Sequence, residues 1–351
     1  MHQHLADKHG RLLAPEACRV GRKLLTVLTD QPRDLQSEPM RLGEFELYSL
    51  CDGFFGLDGG AMFGVVPKPV WERTNPADAR NRIRLASRPL LVVAGADRVL
   101  IDTGIGDKWD AKSTDIYRVE HTDTIESSLA RAGLMPEDIT KVVLTHLHFD
   151  HAGATTKLDE SGKPAPRFPN ARHYVQQKEW EAAVNPNRRS RASYVPTDFL
   201  PVRDAGLLEL IDGDLRLELG PGLALELVLT GGHTPGHQIV LVRGSSRRDM
   251  GTEGQKDRVA RAGHLVPGSL DPSIPVLAVF WGDLIPTRSH IAIPYIMGYD
   301  LHPLETMAQK EKLVRLAIDG RWVSFFEHDP DFASGVIEAE NGKPFLRPLA
   351  E

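Results

Sequence analysis

Apolar residues along this chain fall in short runs cut by glycine, proline and acidic turns. "FELYSLCDG" (45–53) reads as a strand that ends in a turn, and "RPLLVVAG" with "RVLIDTG" (88–104) flanks an Ala-Asp turn as a hairpin. "KVVLTH" (141–146), "ARHYVQ" (171–176), "GLLELI" (206–211), "LALELVLTGG" (223–232), "QIVLVRG" (238–244) and "WVSFFEHD" (322–329) are further strand-length runs. Two stretches carry helical spacing instead. In "DTIESSLARAGL", Ile125, Leu129 and Ala132 share a face and Gly133 supplies the stop. "PLETMAQKEKLVRLAIDG" (303–320) is a longer helix just before the last strand. Strands and helices alternate, which predicts an α/β layered architecture.

Three segments depart from that rhythm. Residues 1–40 are polar and irregular apart from "RKLLTVLTD", and are expected to form an N-terminal arm whose apolar stripe could pack across a partner in a homodimer. The core then occupies 41–351. Residues 244–275 are rich in glycine, arginine and proline; a connection this long between strands reads as a mobile surface insertion or a substrate lid. "FFGLDGGAMFGVVPKPVW" (54–71) reads as a glycine-rich loop with exposed-looking Phe54, Phe55, Met62, Phe63 and Trp71. Such a loop builds the wall of an apolar pocket or simply packs.

Bulk properties narrow the function. The chain has 351 residues, 41% hydrophobic and 26% charged, which is ordinary for a globular protein with a full core. A formal charge of −6 argues against a nucleic-acid substrate and against attraction to anionic membranes. No apolar stretch approaches the ~20 residues that span a bilayer, and "MHQHLADKHGRLLAPEAC" lacks a signal-peptide core. The default expectation is a cytoplasmic protein acting on a small molecule. Cys18 and Cys51 form neither a disulfide framework nor a CxxC metal pair.

The chemistry concentrates in "KVVLTHLHFDHAGATT" (141–156), where His146, His148, Asp150 and His151 occupy six positions after an apolar run. On an extended segment His146 and His148 point the same way. Asp150 and His151 follow where the chain must turn, so they can face a second position beside the first. One loop thus offers nitrogen and carboxylate ligands to two adjacent metals. By chance this pattern arises in roughly one random sequence per thousand of this length and histidine content. Three later strand ends carry more ligand types: His233 after a double glycine in "LVLTGGHTPGH", Asp283 in "VLAVFWGDLIPT" and His328 in "WVSFFEHDP".

HxHxDH, a glycine-flanked histidine, Gly-Asp and a late histidine together resemble the metallo-β-lactamase superfamily, over about residues 44–330. The resemblance implies an αβ/βα four-layer sandwich with the site along one edge. It implies that His146, His148 and His233 hold one divalent metal, that Asp150, His151 and His328 hold another, and that Asp283 bridges them. Zinc is the default for such an N/O site, while iron, cobalt and manganese also suit it. Two ions ~3.5–4 Å apart share a water and lower its pKa from about 15.7 toward 7, so a bridging hydroxide can attack a carbonyl or phosphoryl centre. Asp150 and Asp283 are then the catalytic carboxylates, Asp150 passing the proton to the leaving alkoxide. Asp102 in "LIDTG" reads as a residue orienting a ligand or as a plain strand-end turn, and His237 in "GHTPGH" as structural rather than as a ligand.

Within the superfamily, "DGGAMFGVVPKPVW", "NRIRLASRPLLV", "THLHFDHAG", "GGHTPGH" and "MGYDLHPLETMAQKEK" are similar to segments of quorum-quenching N-acyl homoserine lactonases. The resemblance implies lactone ring opening, with Met62, Phe63 and Phe149 against the acyl chain. Better-known lactonases carry a tyrosine three residues after the bridging aspartate; here Pro286 stands there, and Tyr194, His290 or Tyr299 are the candidates to replace it. Organophosphate triesters or aryl esters are the alternative substrates. A β-lactamase is disfavoured because neither cysteine falls in a ligand slot, and a non-catalytic metal-binding module because the ligand set is intact.

Overall fold

A computed structural model describes residues 38–244 and 274–349. The proposed arm lies almost wholly outside the described residues, as does all but the ends of the 244–275 segment.

Two mixed seven-stranded sheets dominate. The first runs β1 (Met40–Leu42), β2 (Phe45–Ser49), β5 (Leu90–Ala94), β6 (Asp97–Ile101), β7 (Lys141–Val143), β10 (Arg172–Gln176) and β11 (Leu208–Ile211). It is antiparallel up to β6 and parallel from β6 through β11. The second runs β12 (Leu215–Gly220), β13 (Leu223–Leu229), β14 (Gln238–Arg243), β15 (Val276–Phe280), β16 (Val323–Phe325), β17 (Ser334–Glu340) and β18 (Lys343–Pro348), with β15–β16 its parallel pair. Two ribbons complete the set: β3 (Phe54–Asp58) with β4 (Arg82–Ala86), and β8 (Thr156–Leu158) with β9 (Pro164–Pro166).

Alternation within the strands produces the layers. Phe45, Leu47, Val92, Val99, Ile101 and Val143 of the first sheet meet Leu225, Leu227, Val240, Val242, Phe280 and Phe325 of the second in one core. The opposite faces are apolar too, so each needs a helical cover. Leu91, Leu100, Val142 and Leu144 pack under Ile125 and Leu129 of the helix Ile125–Arg131, with Ala183 and Phe199 from the helices Gln177–Val184 and Pro196–Asp204. Ile239, Leu241, Val279 and Trp281 pack under Leu313, Val314 and Ala317 of the helix Pro303–Gly320. The result is the helix–sheet–sheet–helix sandwich. Thr124 caps the first of these helices by accepting from Ser127 N, and Pro303 occupies the first helical position of the last.

One segment departs from expectation. Residues 59–71 form two short helices, Gly59–Phe63 and Lys68–Trp71, rather than an open loop. Asp58 caps the first through Ala61 N, and Pro69 suits the first turn of the second. The large side chains that look exposed in the sequence are buried: Phe55, Met62, Phe63 and Trp71 join Ile83, Leu85, Ile105 and Met297 in a satellite cluster. Phe63 stacks between Trp71 and His290, at centroid distances of 5.4 and 4.6 Å. Among the described residues no helix is long and apolar enough to cross a membrane.

Candidate metal centre

The strand ends of both sheets deliver one cluster. β7 stops at Val143, and three residues later the chain presents His146 and, still extended, His148. His148 begins the short helix Phe149–Ala152, so Asp150 and His151 turn away from the first two ligands. His233 follows β13, Asp283 follows β15 and His328 follows β16. Gly282 sits at φ +49°, where any Cβ would press on His237 and Thr145, so glycine is required for the turn that presents Asp283.

All seven residues meet in a buried cluster in which the most exposed, His148, is 7% accessible. His233 Nε2 and His148 Nδ1 lie 3.1 Å apart, and His328 Nε2 and His151 Nε2 lie 3.0 Å apart. Asp283 stands between the two sets. Its Oδ2 is 3.2 Å from His233 Nε2 and 3.9 Å from His146 Nε2, while its Oδ1 is 3.4 Å from His151 Nε2 and 3.3 Å from His328 Nε2. Asp150 Oδ2 faces the second set, 3.6 Å from His328 and 4.0 Å from His151. Among the described residues four groups are close enough to hold an ion: His146–His148–His233, His146–His151–Asp283, Asp150–His151–His328 and Asp102–His151–Glu327.

A further ring of groups orients these side chains. Asp102 Oδ2 is 2.9 Å from His151 Nδ1 and accepts from Thr145 Oγ1 at 2.7 Å, while its Oδ1 accepts from Thr145 N. Asp102 holds φ +55°, an unusual conformation for a side-chain-bearing residue that its short carboxylate tolerates. Asp300 Oδ1 lies 2.9 Å from His233 Nδ1, and the Ala86 carbonyl lies 2.9 Å from His328 Nδ1. His237 is not in the ligand ring: its Nε2 accepts from Asp283 N at 3.0 Å and its Nδ1 is 2.7 Å from Thr230 Oγ1.

Electrostatics sort these groups. Burial and the neighbouring imidazoles push His146 and His148 well below the usual histidine range, leaving neutral lone pairs. Burial also opposes a charged His151, but Asp283, Asp150 and Asp102 outweigh it and raise its pKa well above normal. Burial likewise disfavours the Asp283 carboxylate, yet His151, His233 and His328 hold its pKa well below the usual value. His146 Nε2 and Asp283 Oδ1 are buried without a hydrogen-bond partner. Orphaned donor atoms, neutral imidazoles and buried carboxylates in one pocket fit a bound divalent cation, which compensates the charge that burial would otherwise penalise.

The residues expected at the substrate divide. Tyr194 packs its ring 4.8 Å from His148 but commits its hydroxyl to Glu179. His290 has both ring nitrogens engaged, 2.8 Å from Thr287 Oγ1 and 2.9 Å from the Met62 carbonyl. Met62, Phe63 and His290 are fully buried, with no open face to offer. Phe149 lies nearer the ligands and packs against Tyr117 at 5.0 Å, Trp109 at 5.5 Å and Phe55 at 6.4 Å. Tyr299 is half-buried with no hydrogen bond to its hydroxyl among the described residues. Burial, Asp150 and Asp58 push its pKa up to about 12, so it stays a neutral donor.

Several groups escape a reading of the sequence. Glu179 lies in a helix and Asp300 in an irregular turn, and neither neighbours a histidine ligand in sequence. Trp109 and Tyr117 come from a polar stretch whose pattern gives no hint of a site. Proximity in space is the only signal for these four.

Residues 84–246 match the family described as the metallo-beta-lactamase superfamily. A curated relative, the N-acyl homoserine lactonase AttM of Rhizobium radiobacter, is 38% identical over 112 residues, 32% of this chain and 38% of that protein. The chain spans between 38% and 54% of the length of such lactonase relatives. Among solved structures, one from Staphylococcus aureus described as a "probable metal-dependent hydrolase" aligns with a TM-score of 0.71 at 29% identity, over 89% of this chain and 100% of that one. AidC, a dizinc quorum-quenching lactonase in complex with a product, aligns with a TM-score of 0.65 at 21% identity, over 90% and 97% of the two chains, and shares the fold. Residues 84–246 carry the match to the metallo-beta-lactamase superfamily, and the chain has the metallo-β-lactamase fold, which implies binding of divalent metal.

Proposed function

We propose that the protein is a dinuclear metal-dependent hydrolase that opens lactone rings, with N-acyl homoserine lactones as its substrate class. The observation that carries this reading is Asp283, whose two oxygens divide between His146 and His233 on one side and His151 and His328 on the other. His146, His148 and His233 would hold one ion and Asp150, His151 and His328 the other, with Asp283 shared and zinc as the expected metal. When bound, the ions supply a water of lowered pKa and Lewis acidity toward a carbonyl oxygen.

The chain's own residues supply the rest. Asp150, near the second set, receives the proton of the attacking water and returns it to the ring oxygen as the acyl C–O bond breaks. The products are a hydroxyl and a carboxylic acid, which releases a proton at neutral pH. Phe149, Trp109 and Tyr117 form an aromatic wall suited to an acyl chain and keep bulk water from the carboxylates. Tyr299 has a free hydroxyl and is held on both flanks, by Gly298 N on the Ala61 carbonyl at 2.7 Å and by Asp300 on His233. It is the donor best suited to hold the lactone carbonyl. Relatives named N-acyl homoserine lactonases support the substrate class.

A second reading, hydrolysis of phosphotriesters or aryl esters, draws on Pro286. That residue offers no hydroxyl beside the cluster, and its carbonyl instead accepts from His328 N at 3.0 Å. The test is proton release by metal-loaded protein on N-acyl homoserine lactones of short and long acyl chains. Turnover that improves with chain length and disappears in Asp283→Ala supports the lactonase. Full metal content without lactone turnover, but with turnover of a phosphotriester or aryl ester, moves the assignment to the second reading.

A further inference from the structure

Glu179 is fully buried in the helix Gln177–Val184, and its carboxylate reaches three separate segments. Oε1 accepts from Leu147 N at 3.0 Å and from the Tyr194 hydroxyl at 2.9 Å; Oε2 accepts from Thr234 Oγ1 at 2.5 Å. Leu147 lies between His146 and His148, Thr234 directly follows His233, and the Tyr194 ring packs on His148. Gly236 is pressed onto the same residue, since a Cβ there would collide with the Glu179 backbone nitrogen. Each contact of the carboxylate therefore touches a neighbour of one of the three imidazoles on one side of Asp283. No hydrogen bond of this carboxylate goes to Asp150, His151, His328 or the residues beside them.

We infer that Glu179 is a positioning residue that clasps the two ligand-bearing loops together and sets the affinity of the His146–His148–His233 position for its ion, leaving the other position to Asp102. The inference rests on the two-metal reading above. Its physical basis is preorganisation: backbone N–H and hydroxyl donors locked on one buried carboxylate fix both loops before an ion arrives. Without that clasp, binding must order the loops and loses affinity accordingly.

The test is metal binding to the full chain, stripped and then titrated with zinc by calorimetry, with cobalt spectra as a second readout. Wild type is expected to bind two ions. Glu179→Gln keeps the shape but removes the charge. It is expected to bind one ion as wild type does and the other about 10- to 100-fold more weakly. Adding His233→Ala to that variant should change little further, while adding His328→Ala should remove the remaining ion. Glu181→Gln, exposed on the same helix, serves as the control with unchanged binding. If Glu179→Gln fails to fold, Thr234→Val and Tyr194→Phe each delete one arm of the clasp and should give smaller losses at the same position. Equal weakening of both ions, or two ions bound as in wild type by the Glu179 and Thr234 variants, overturns the clasp alone. A wild-type protein that takes up fewer than two ions overturns the two-metal reading as well.

Discussion

The two halves of the histidine cluster are built by different means. On one side, His151 and His328 are aimed by groups at strand ends: Asp102, just after β6, and the Ala86 carbonyl, at the end of β4. On the other, His233 is aimed by Asp300 from an irregular turn, and its loop is tied to the HxHxDH loop through Glu179. In the first half the orienting groups sit at the ends of strands. In the second they sit in a helix, for Glu179, and in an irregular turn, for Asp300. Asp283 belongs to both, and the turn before it requires a glycine.

Removing Asp283 breaks the comparison altogether, because both halves lose their shared carboxylate. Asp283→Ala is expected to cut lactone turnover by about 10³-fold, equivalent to roughly 4 kcal/mol at 1.36 kcal/mol per tenfold. Metal analysis of the same variant should find the content reduced from two ions per chain. Retained turnover would remove the bridging role.

Asp102→Asn sharpens the comparison from the strand side. Asparagine tolerates the positive φ, so the backbone survives while the charge behind His151 is lost. A fall of about 10- to 100-fold in affinity is expected for the ion at Asp150–His151–His328, the mirror of the Glu179 result. If the same ion weakens in both variants, the halves are not separately built.

Tyr299→Phe acts at the substrate rather than at the metals. Zinc stoichiometry should stay at wild type while kcat/KM for a lactone falls about tenfold, the worth of one hydrogen bond to a charge-developing oxygen. Tyr194→Phe should cost metal affinity instead, because its hydroxyl already belongs to Glu179.

The last effect concerns stability on the clasped side rather than activity or metal binding. Lys310 is buried with its Nζ on the Ala292 carbonyl at 3.1 Å and the Tyr295 carbonyl at 2.6 Å, and burial brings its pKa down to about 7 against the pull of Asp300. Between about pH 7 and the ordinary lysine value of 10.5 the unfolded chain binds the extra proton, so stability rises with pH there and falls as pH drops toward 7. The slope is at most about 1.4 kcal/mol per pH unit. Denaturant unfolding from pH 7 to 9 should show this rise in wild type and a flatter profile in Lys310→Met.

Much of this was legible in the sequence, and the reasons are local. A strand-length run of valine, isoleucine and leucine buries itself wherever it lands, so β5, β6, β13 and β14 follow from pattern alone. The helix Pro303–Gly320 likewise follows from its spacing and its first proline. His146, His148, Asp150 and His151 share one loop, and side-chain period plus a turn suffices to send them to two neighbouring positions. Residues 54–71, where a pocket wall and simple packing stood as alternatives, show the limit: their side chains look exposed because the partners Ile83, Ile105, His290 and Met297 are distant in sequence.

The sequence by itself determined the elements, the layered class and the ligand types, since periodicity and side-chain chemistry are carried within a few residues. Only the tertiary structure decided which carboxylates stand behind which histidine, that His290 and Tyr194 are already committed, and that the Tyr299 hydroxyl has no hydrogen bond among the described residues. Those facts depend on hydrogen bonds across 67 residues for His233 and Asp300 and 55 for Thr234 and Glu179. Such pairings form only when the packed sheets bring their ends to one edge, and no local pattern encodes them.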